Sequence, residues 1–308
     1  MHDRLSLDQI RTFIAAAEEG SFSAAARKLG RAQSAVSDLV RGLERELGVA
    51  LFDRAGRTPT LTAAGQSLLK DARAIGGAVD FMNFRARGLA EGLEPELCAV
   101  VDVYFPFQAI TEAAKHFQRE FPATPLRLYV EVLGGATEPV LDGRAGLAVV
   151  GGPGPLPRGL SGEPLNGVAV IMVCAPDHPL AAFEGVIPQS ELARHVQLVL
   201  TERSNRSAGQ EYNVMSPTTW RLADLYAKHS FLLGGLGWGS MPLHAVERDL
   251  AEGRLVRLMT PESPPAGQIV PMSAVYRASA PPGPAGRWLI ERLKSCPGER
   301  ADRAVSGN

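Results

Sequence analysis

Three stretches of helical periodicity lie within the first 47 residues, and a turn of only three residues separates the last two. The second stretch is short, from residue 24 to residue 29, and Gly30 closes it. Residues 31–33 lead directly into the third stretch, from residue 34 to residue 47. Because two helices joined by a tight turn near a glycine define a helix-turn-helix, the sequence predicts this motif at the N-terminus.

The ends of these helices carry capping signals. Ser6 followed by Gln9 has the spacing of a capping box ahead of the first helix, and Gly20 follows its last turn. Ser23 is predicted to cap the second helix, because a serine hydroxyl can accept from a free amide of the first turn. These signals predict three separate helices rather than one long one.

The third helix has one apolar and one polar face. The apolar side chains follow the i, i+3, i+4, i+7 spacing of a helix packed on one side, and they are Val36, Leu39, Val40, Leu43 and Leu47. The side chains of the opposite face are polar, and they are Ser34, Ser37, Asp38, Arg41 and Arg45. The sequence therefore predicts a helix packed on a small core that presents polar groups to a partner.

Residues 49–61 are predicted to form a short two-stranded wing. Leu51 and Phe52 are its predicted buried positions, while Arg54 and Arg57 lie near its tip. The chain then enters a long helix, for which Thr62 is the predicted N-cap.

The long helix carries a regular apolar seam. Its members are spaced alternately by four and three residues, and they are Leu68, Ala72, Ile75, Val79, Met82, Ala86 and Leu89. Such heptad spacing favours pairing with a second helix, although one amphipathic helix packed on its own domain would also show an apolar stripe. Gly76 and Gly77 interrupt the seam, and each costs about 1 kcal/mol of helix propensity. We favour a dimerisation helix.

Beyond residue 95 strands alternate with helices. Strands are predicted over residues 98–104, 126–133, 147–151 and 168–174, with a loop over 151–162. Further along, the pattern predicts a strand over 196–200, helices over 219–229 and 242–251, a late strand over 269–276 and a last helix over 285–294. Strand–helix alternation predicts a parallel sheet covered on both faces.

Charge and composition exclude some classes of protein. The first 65 residues hold nine basic and eight acidic side chains, so charge alone does not indicate nucleic acid. A nonspecific nucleoid protein needs a strongly basic surface, which this balance argues against. The sequence also has no Gly-x-Ser-x-Gly, His-Glu-x-x-His, Walker or complete Gly-x-Gly-x-x-Gly motif, so an enzyme is not expected. His178, between Asp177 and Pro179, is expected to be structural.

The three cysteines, Cys98, Cys174 and Cys296, lie far apart, and their odd number argues against a disulfide framework. We interpret them as inert side chains, with redox sensing as the alternative, and we expect neither metal nor cofactor. No apolar segment of a signal peptide follows residue 8, and no stretch approaches the roughly 20 apolar residues of a membrane span. We therefore expect a cytoplasmic protein that makes no membrane contact.

Residues 24–65 resemble the LysR-type transcriptional regulator family. The matching elements, in chain order, are Ala25-Ala26, Leu29, Gln33-Ser34-Ala35-Val36-Ser37, Leu43-Glu44, Leu47-Gly48, Leu51-Phe52, Arg54, Arg57, Leu61-Thr62 and Ala64-Gly65. Residues 175–181, and Gly235-Leu236-Gly237 through Pro242, resemble more weakly the effector domain of that family.

The resemblance implies an α+β protein with a winged helix-turn-helix, a long linker helix and a C-terminal domain of two α/β lobes, like type II periplasmic binding proteins. A charged tail rich in small residues is expected to be disordered. The implied boundaries are 1–65 for the DNA-binding domain, 62–91 for the dimerisation helix, 95–295 for the effector domain (lobe 1 about 97–165 and 268–295, lobe 2 about 166–267), and 297–308 for the tail.

The family implies that the third helix enters the major groove of double-stranded DNA with its N-terminal residues nearest the bases. Gln33 can pair bidentately with adenine, and serines can donate to bases or phosphates. Arginines of the turn and wing suit phosphates. The predicted DNA-contacting residues are Ser23, Arg31, Gln33, Ser34, Ser37, Asp38, Arg41, Arg54, Arg57 and Thr62. A homodimer or homotetramer, paired through Leu68, Ala72, Ile75, Val79 and Met82, would bind an interrupted inverted repeat.

Asp38 is the exception on this polar face, because a carboxylate repels phosphate. It can accept a hydrogen bond from a cytosine amino group or form an ion pair with Arg41 or Arg45, and we favour the ion pair. Arg41 and Arg45 can equally be plain surface charges.

In the effector domain the resemblance implies a ligand cleft lined by residues 104–108, 133–137, 201–204 and 236–241. Helix N-termini and strand ends there offer groups that suit a small organic acid such as a carboxylate. The candidate effector-binding residues are Phe105, Phe107, Thr137, Thr201, Arg203, Ser204 and Trp238. The three aromatic residues would form an apolar wall, and Arg203 would clamp a carboxylate. Each of these side chains can alternatively belong to the core or the surface.

Overall fold

The computed structural model describes residues 5–56, 58–152, 154–202, 213–261, 263 and 267–296. The chain divides into two compact units, Met1–Glu91 and Gly92–Asn308. Each unit has its own hydrophobic core.

The first unit is a three-helix head with a wing and a long last helix. Its elements are α1 (Leu7–Glu19), α2 (Phe22–Leu29), α3 (Gln33–Leu47), β1 (Phe52–Asp53), β2 (Thr60–Leu61) and α4 (Ala63–Ala90). Strands β1 and β2 pair antiparallel, as a wing requires. The core is formed by Phe13, Ala25, Val36 and Leu51 with their neighbours, and the first turns of α4 pack against it through Leu69 and Ala72.

The predicted capping box is confirmed, and one predicted cap is wrong. The Gln9 amide donates to Ser6 Oγ at 3.2 Å, and the Ser6 amide donates to Gln9 Oε1 at 2.7 Å. The N-cap of α2 is Ser21, whose Oγ accepts from the Ala24 amide at 3.1 Å. Ser23 lies one residue inside the helix, where its Oγ accepts from Arg27 instead. Ser21 and Ser23 have the same side chain, so the sequence does not distinguish them as caps. The backbone of Ser21 is extended, which is the conformation that an N-cap residue requires.

Thr62 fixes the start of α4 against the wing. Its Oγ1 accepts from the Gly65 amide at 2.9 Å, which confirms the predicted N-cap, and donates to the Ala50 carbonyl oxygen at 2.7 Å. Gly65 lies so close to the wing that an added Cβ would overlap the carbonyl oxygen of Leu51. The helix start and the wing therefore touch through backbone, and no side chain fits between them.

The second unit contains a nine-stranded sheet. Its strands are β3 (Leu97–Asp102), β4 (Leu126–Glu131), β5 (Leu147–Gly151), β6 (Leu160–Cys174), β7 (Gln197–Leu200), β8 (Thr219–Leu222), β9 (Trp238–Pro242), β10 (Val256–Leu258) and β11 (Gln268–Arg277). Its α-helices are α5 (Phe107–Glu120), α6 (Glu138–Leu141), α7 (Gln189–Leu192), α8 (Leu225–Leu233), α9 (Leu243–Ala251) and α10 (Pro284–Lys294).

The sheet is mixed, not parallel throughout as predicted. Its order is β4-β3-β5-β11-β6-β9-β7-β8, and β10 pairs with β6. The β3–β4, β3–β5, β7–β8 and β7–β9 pairs are parallel. Strand β11 runs antiparallel to β5 and β6, and β6 runs antiparallel to β9 and β10. Strand–helix alternation does not reveal this direction, because β11 pairs with strands that lie far from it in the chain.

Two long strands pass through both lobes. Lobe 1 holds β3, β4, β5, α5, α6 and α10, and lobe 2 holds β7, β8, β9, α8 and α9. Strands β6 and β11 pair with each other and extend from one lobe into the other, with an irregularity between Val270 and Met272. The predicted loop over 151–162 was too long, because β6 begins at Leu160 and has 15 residues. The helix predicted over 219–229 is strand β8 followed by α8.

The central strands of each lobe are buried on both faces of the sheet. In lobe 1, alternate residues of β3 face two cores, Leu97 and Val101 on one side and Val100 on the other. In lobe 2, β6 does the same with Met172 and Val173. This alternation agrees with the prediction that helices cover the sheet on both faces.

The ends of the second unit are tied together at α10. The Glu94 carboxylate accepts from the Ala285 amide at 3.0 Å and from the Gly286 amide at 2.8 Å. These amides belong to the first turn of α10, which has no cap from its own N-cap residue, Gly283. A carboxylate in this position also complements the positive end of the helix dipole.

Glu163 of β6 holds the other end of α10. Its carboxylate accepts from Lys294 Nζ at 2.6 Å and from the Tyr276 hydroxyl at 2.9 Å, and it pairs with Arg287. These donors lower the pKa of Glu163 from 4.5 to about 2, with the Lys294 hydrogen bond as the largest cause. The Glu163 side chain is 20% exposed, so this ion pair is only partly screened by solvent.

We expect Glu163→Gln to lower the stability of the second unit by about 1–3 kcal/mol at pH 7, since a charged acceptor of several bonds is lost. Because the folded-state pKa is depressed, the contribution of Glu163 is present above pH 4.5 and is lost as pH falls toward 2. Denaturant unfolding followed by tryptophan fluorescence should show a smaller gap between variant and wild type at pH 3 than at pH 7. Glu291→Gln, which removes the other, more exposed partner of Lys294, is the control and should change little.

Among the residues that the structure describes, no helix is long and apolar enough to cross a membrane.

Candidate nucleic-acid interface and effector site

The N-terminal turn of α3 presents uncommitted polar groups to solvent. Val36, Val40 and Leu43 are buried on the inner face, while Gln33 and Ser34 are exposed. The N-cap is Ala32, whose side chain makes no capping hydrogen bond. The first amides of α3 therefore remain available to a phosphate, and the positive end of the helix dipole favours that contact.

Ser37 and Asp38 follow on the same face of α3. Ser37 is half-buried and Asp38 is exposed. Arg41 donates to Asp38 Oδ1 at 2.8 Å, which is the ion pair that the sequence favoured. Both side chains are more than half exposed, so the pair costs little to open when a phosphate competes for Arg41.

Two further predicted phosphate contacts also have partners within the head. Arg31 donates to Asp8 at 2.6 Å, and Arg54 donates to Glu44 at 2.8 Å. Arg54 also lies over the ring of Phe22, 5.4 Å from its centroid. Arg57, predicted at the tip of the wing, lies outside the described residues.

Glu44 organises the wing and was not singled out as a functional residue from the sequence. Its Oε1 accepts from the Leu51 amide at 2.9 Å and from the Phe52 amide at 3.1 Å, while its Oε2 binds Arg54. The sequence does not predict these contacts, because a glutamate on a helix is usually exposed and the partners of Glu44 lie in and beside the following strand. Glu44 therefore sets the position of the wing relative to α3.

Ser23 and Thr62, two further predicted DNA contacts, make side-chain hydrogen bonds within the head. The Oγ of Ser23 accepts from Arg27 at 3.1 Å on the exposed side of α2. Thr62 uses its hydroxyl both to accept and to donate within the fold. Both residues therefore stay predicted DNA contacts.

The seam of α4 divides into two parts. Ala72 is buried and Leu68 partly buried in the core of the head, so these two predicted dimer residues pack within their own unit. Val79 is half-buried, whereas Ile75 is 45% and Met82 62% exposed. The correction follows from geometry, since one side of α4 lies against α1 as far as Asp80, which accepts from Arg11 at 2.7 Å. The second part of the seam leaves large apolar side chains in solvent.

Two predicted members of the aromatic wall are core residues instead. Phe105 is 5% exposed and packs in lobe 1 beneath α5 with Ile110. Trp238 is fully buried in lobe 2 beside Cys174 and Leu192. The amide of Phe105 donates to the Asp102 carbonyl oxygen, in a turn that follows β3. Which side of a turn or strand faces the cleft depends on the sheet, and composition does not reveal it.

The remaining candidates are distributed over the cleft segments. Phe107 is 53% exposed at the start of α5, Thr137 is buried beside α6, and Thr201 is half-buried just beyond β7. Arg203 and Ser204 lie outside the described residues.

A chain of three polar side chains joins the two lobes, and sequence analysis did not identify it. Lys228 of α8 donates from Nζ to Ser240 Oγ of β9 at 3.3 Å, and Ser240 Oγ lies 3.5 Å from the Tyr104 hydroxyl, just beyond β3 in lobe 1. Lys228 is 0% exposed and Ser240 8%. Burial lowers the pKa of Lys228 to about 7 and raises that of Tyr104 to about 12.

The cysteines lack the features of redox-active thiols. Burial raises the pKa of Cys174 to about 12 and also raises the pKa values of Cys98 and Cys296. All three are unpaired. Because the thiolate is the reactive form, this environment favours the interpretation of inert side chains over redox sensing.

These features define a class of protein with a winged helix-turn-helix head, a protruding helix and a two-lobed α/β domain. Residues 7–66 match the family described as bacterial regulatory helix-turn-helix protein, lysR family. Residues 90–296 match the family described as LysR substrate binding domain. The chain belongs to the LysR family of transcriptional regulators.

Similar proteins cover most of the chain. The probable HTH-type transcriptional regulator YhaJ of Escherichia coli K12 is 34% identical, over 94% of this chain and 96% of the relative. The HTH-type transcriptional activator AllS of Klebsiella pneumoniae is 30% identical, over 82% of this chain and 94% of the relative. These relatives are regulators, so the class expected from the resemblance agrees with them.

Solved structures show the same fold. A C206 mutant of Corynebacterium glutamicum OxyR matches with a TM-score of 0.55 and 24% identity, covering 94% of this chain and 92% of that one. The LysR family regulator CbnR matches with a TM-score of 0.51 and 21% identity, covering 94% of this chain and 100% of that one.

Proposed function

We propose that this protein is a sequence-specific regulator of transcription, rather than an enzyme, and that it acts in the cytoplasm. The observation that carries the proposal is the N-terminal turn of α3, where Gln33, Ser34 and the free backbone amides lie exposed on one face. Gln33 pairs with a base edge, and the serines and amides bind neighbouring phosphates.

The cations of the head have a secondary role in this proposal. Arg31, Arg41 and Arg54 already have carboxylate partners, and phosphates can take them over because these ion pairs are partly exposed. The near-neutral charge of the head then limits nonspecific binding, so base contacts carry a larger share of the affinity.

Oligomerisation follows from the exposed part of α4. Ile75, Met82 and Leu89 recur every seven residues, and each is more than 40% exposed in the single chain. We infer that they pair with the same helix of a second copy, which places two heads on an interrupted inverted repeat.

The two-lobed domain supports control by a small organic acid. Polar groups from both lobes meet where Tyr104, just beyond β3, approaches Ser240 in the middle of β9, and ligand sites commonly lie between two such lobes. The ligand regulates DNA binding only to the extent that it binds two lobe arrangements with different affinity.

A base-contact test addresses the first part of the proposal. Gln33→Ala should weaken binding to the operator by about 1–3 kcal/mol and relax base preference at one position of each half-site. Gel-shift titrations with the DNA upstream of the gene, and with single-base variants of the protected site, measure both effects. Arg45→Ala, on the exposed side of α3 but far from its N-terminus, is the matched control. Unchanged affinity and base preference in Gln33→Ala would remove Gln33 from the recognition surface.

A further inference from the structure

Lys228 is a buried amine with no carboxylate partner among the residues that the structure describes. It lies on α8, it is 0% exposed, and its hydrogen-bond partner is the neutral hydroxyl of Ser240. Desolvation alone accounts for the change in its pKa, so no carboxylate among the described residues stabilises the charged form. Burying an unpaired ammonium is costly, so the amine loses its proton more easily here than in water, and an anion that reached it would stabilise the charged form.

The surroundings of Lys228 hold this amine at the junction of the lobes. A Cβ at position 239 would lie only 3.3 Å from Lys228 Cε, so the glycine of β9 leaves room for the lysine chain. Nζ thereby reaches Ser240 Oγ, and the Tyr104 hydroxyl approaches the same oxygen from lobe 1 at 3.5 Å. Tyr104 stays protonated at neutral pH because its pKa is about 12.

The chemistry of this cluster favours an anion. The ammonium and two hydroxyl groups are all able to donate. The buried carboxylate of Asp102 lies beside them, because its Oδ1 accepts from the Tyr104 amide at 2.8 Å and its charge adds to the rise in the Tyr104 pKa. It is not among the causes that change the pKa of Lys228, so the amine remains the charge that an entering anion would meet. One cation with two neutral donors matches the single charge and two oxygens of a carboxylate better than a doubly charged phosphate.

We propose that Lys228, Ser240 and Tyr104 form the anion-binding end of the effector site, and that the effector carries a carboxylate there. The inference rests on the proposed function and adds a specific anchor to it. In the arrangement described, Tyr104 closes the cluster, so the carboxylate enters when the lobes separate and then bridges them. Lys228 supplies charge, while Ser240 and Tyr104 bind from opposite lobes.

The test uses the full-length protein and pairs of defined probes. Acetate, succinate, benzoate and salicylate are each compared with the corresponding amide by calorimetry and thermal shift. At least one carboxylate should bind and its amide should bind at least tenfold more weakly. Lys228→Met should weaken binding of that carboxylate by about 10–100-fold, since a charge-assisted contact is lost. Lys115→Met, on the exposed side of α5, should leave it unchanged.

Proton uptake is a second readout that a structural lysine would not show. A carboxylate that pairs with Lys228 raises the pKa of the amine, so binding near pH 7.5 should take up a fraction of a proton. Calorimetry in phosphate and in Tris, whose ionisation enthalpies differ, measures this uptake. Tyr104, the other titratable group of the cluster, does not contribute at this pH. Ser240→Ala keeps the amine of Lys228 but removes one hydroxyl donor, so it should weaken binding of the carboxylate severalfold. This variant replaces Lys228→Met in the test if Lys228→Met does not fold.

Three results would overturn the proposal: no carboxylate of the panel binds, Lys228→Met or Ser240→Ala binds it as tightly as wild type, or the amide binds equally well. Gel shifts of the same proteins keep the two proposals apart. If wild type fails to bind the upstream DNA, the proposed function is wrong, and calorimetry still decides the role of Lys228. If the DNA is bound and the carboxylates fail, only the anion site is wrong.

Discussion

Gly65→Ala should unfold the DNA-binding head at temperatures where the second unit remains intact. The added methyl group would overlap the carbonyl oxygen of Leu51, and it also approaches the Leu61 side chain. The Leu51 carbonyl cannot move away easily, because it accepts hydrogen bonds from the amide and the hydroxyl of Thr62. Overpacking against backbone should cost about 3 kcal/mol or more, which lowers the melting temperature of a unit of this size by roughly 10 °C or more.

The three tryptophans make this experiment selective. Trp220, Trp238 and Trp288 all lie in the second unit, so their fluorescence reports that unit, whereas circular dichroism at 222 nm reports both. The dichroism transition of the head should shift in Gly65→Ala while the fluorescence transition stays in place. Gly77→Ala is the matched control within the same helix. A Cβ there meets no atom within 4 Å, so this change should stabilise α4 by about 1 kcal/mol. If the head melted at the same temperature in Gly65→Ala and Gly77→Ala, the close contact between Gly65 and the Leu51 carbonyl oxygen would be refuted.

Ile75→Asp should dissociate the oligomer and, with it, most of the operator affinity. Ile75 is 45% exposed in the single chain, so the substitution costs the isolated head little. Across a paired seam, however, it would bury a carboxylate among apolar side chains, at a cost of several kcal/mol per subunit. Dissociated heads would each bind one half-site, and the loss of the linked second contact lowers the affinity by about 100-fold or more.

Sedimentation equilibrium and operator gel shifts check the two parts of this expectation. Phe84→Asp is the control, because Phe84 is 51% exposed but lies on the opposite side of α4 from Ile75. If the seam forms the interface, Ile75→Asp should be dissociated, and Phe84→Asp should keep the oligomeric state and operator affinity of the wild type. An oligomer that survives Ile75→Asp would move the interface away from this face.

Sequence analysis succeeded where short-range chemistry decides the structure. The capping box of Ser6 and Gln9, the three helices and the N-cap at Thr62 depend on neighbours a few residues apart, and all were predicted. The Asp38–Arg41 pair is also local. The cap of α2 was misplaced by two residues, because Ser21 and Ser23 have the same chemistry and only the backbone distinguishes them.

The errors arose where distant parts of the chain meet. Residues 219–222 form a strand because β7 pairs with them, and their own periodicity does not show it. Phe105 and Trp238 were placed in a ligand wall because their segments border the cleft, yet their side chains turn into the cores of the two lobes. Lys228 gave no signal, because a lysine in a short helix normally marks a solvent-exposed position.

The bond between Glu94 and α10 determines where the effector domain can be cut. A fragment that starts at Pro95 would lack the carboxylate that accepts from the Ala285 and Gly286 amides, and the last helix would lose its cap. A fragment that stops before residue 284 would lose the helix itself and, with Arg287 and Lys294, the two cationic partners of Glu163. Cloning boundaries for a separately expressed sensor therefore belong at or before Gly92 and after Cys296, even though the first strand begins only at Leu97.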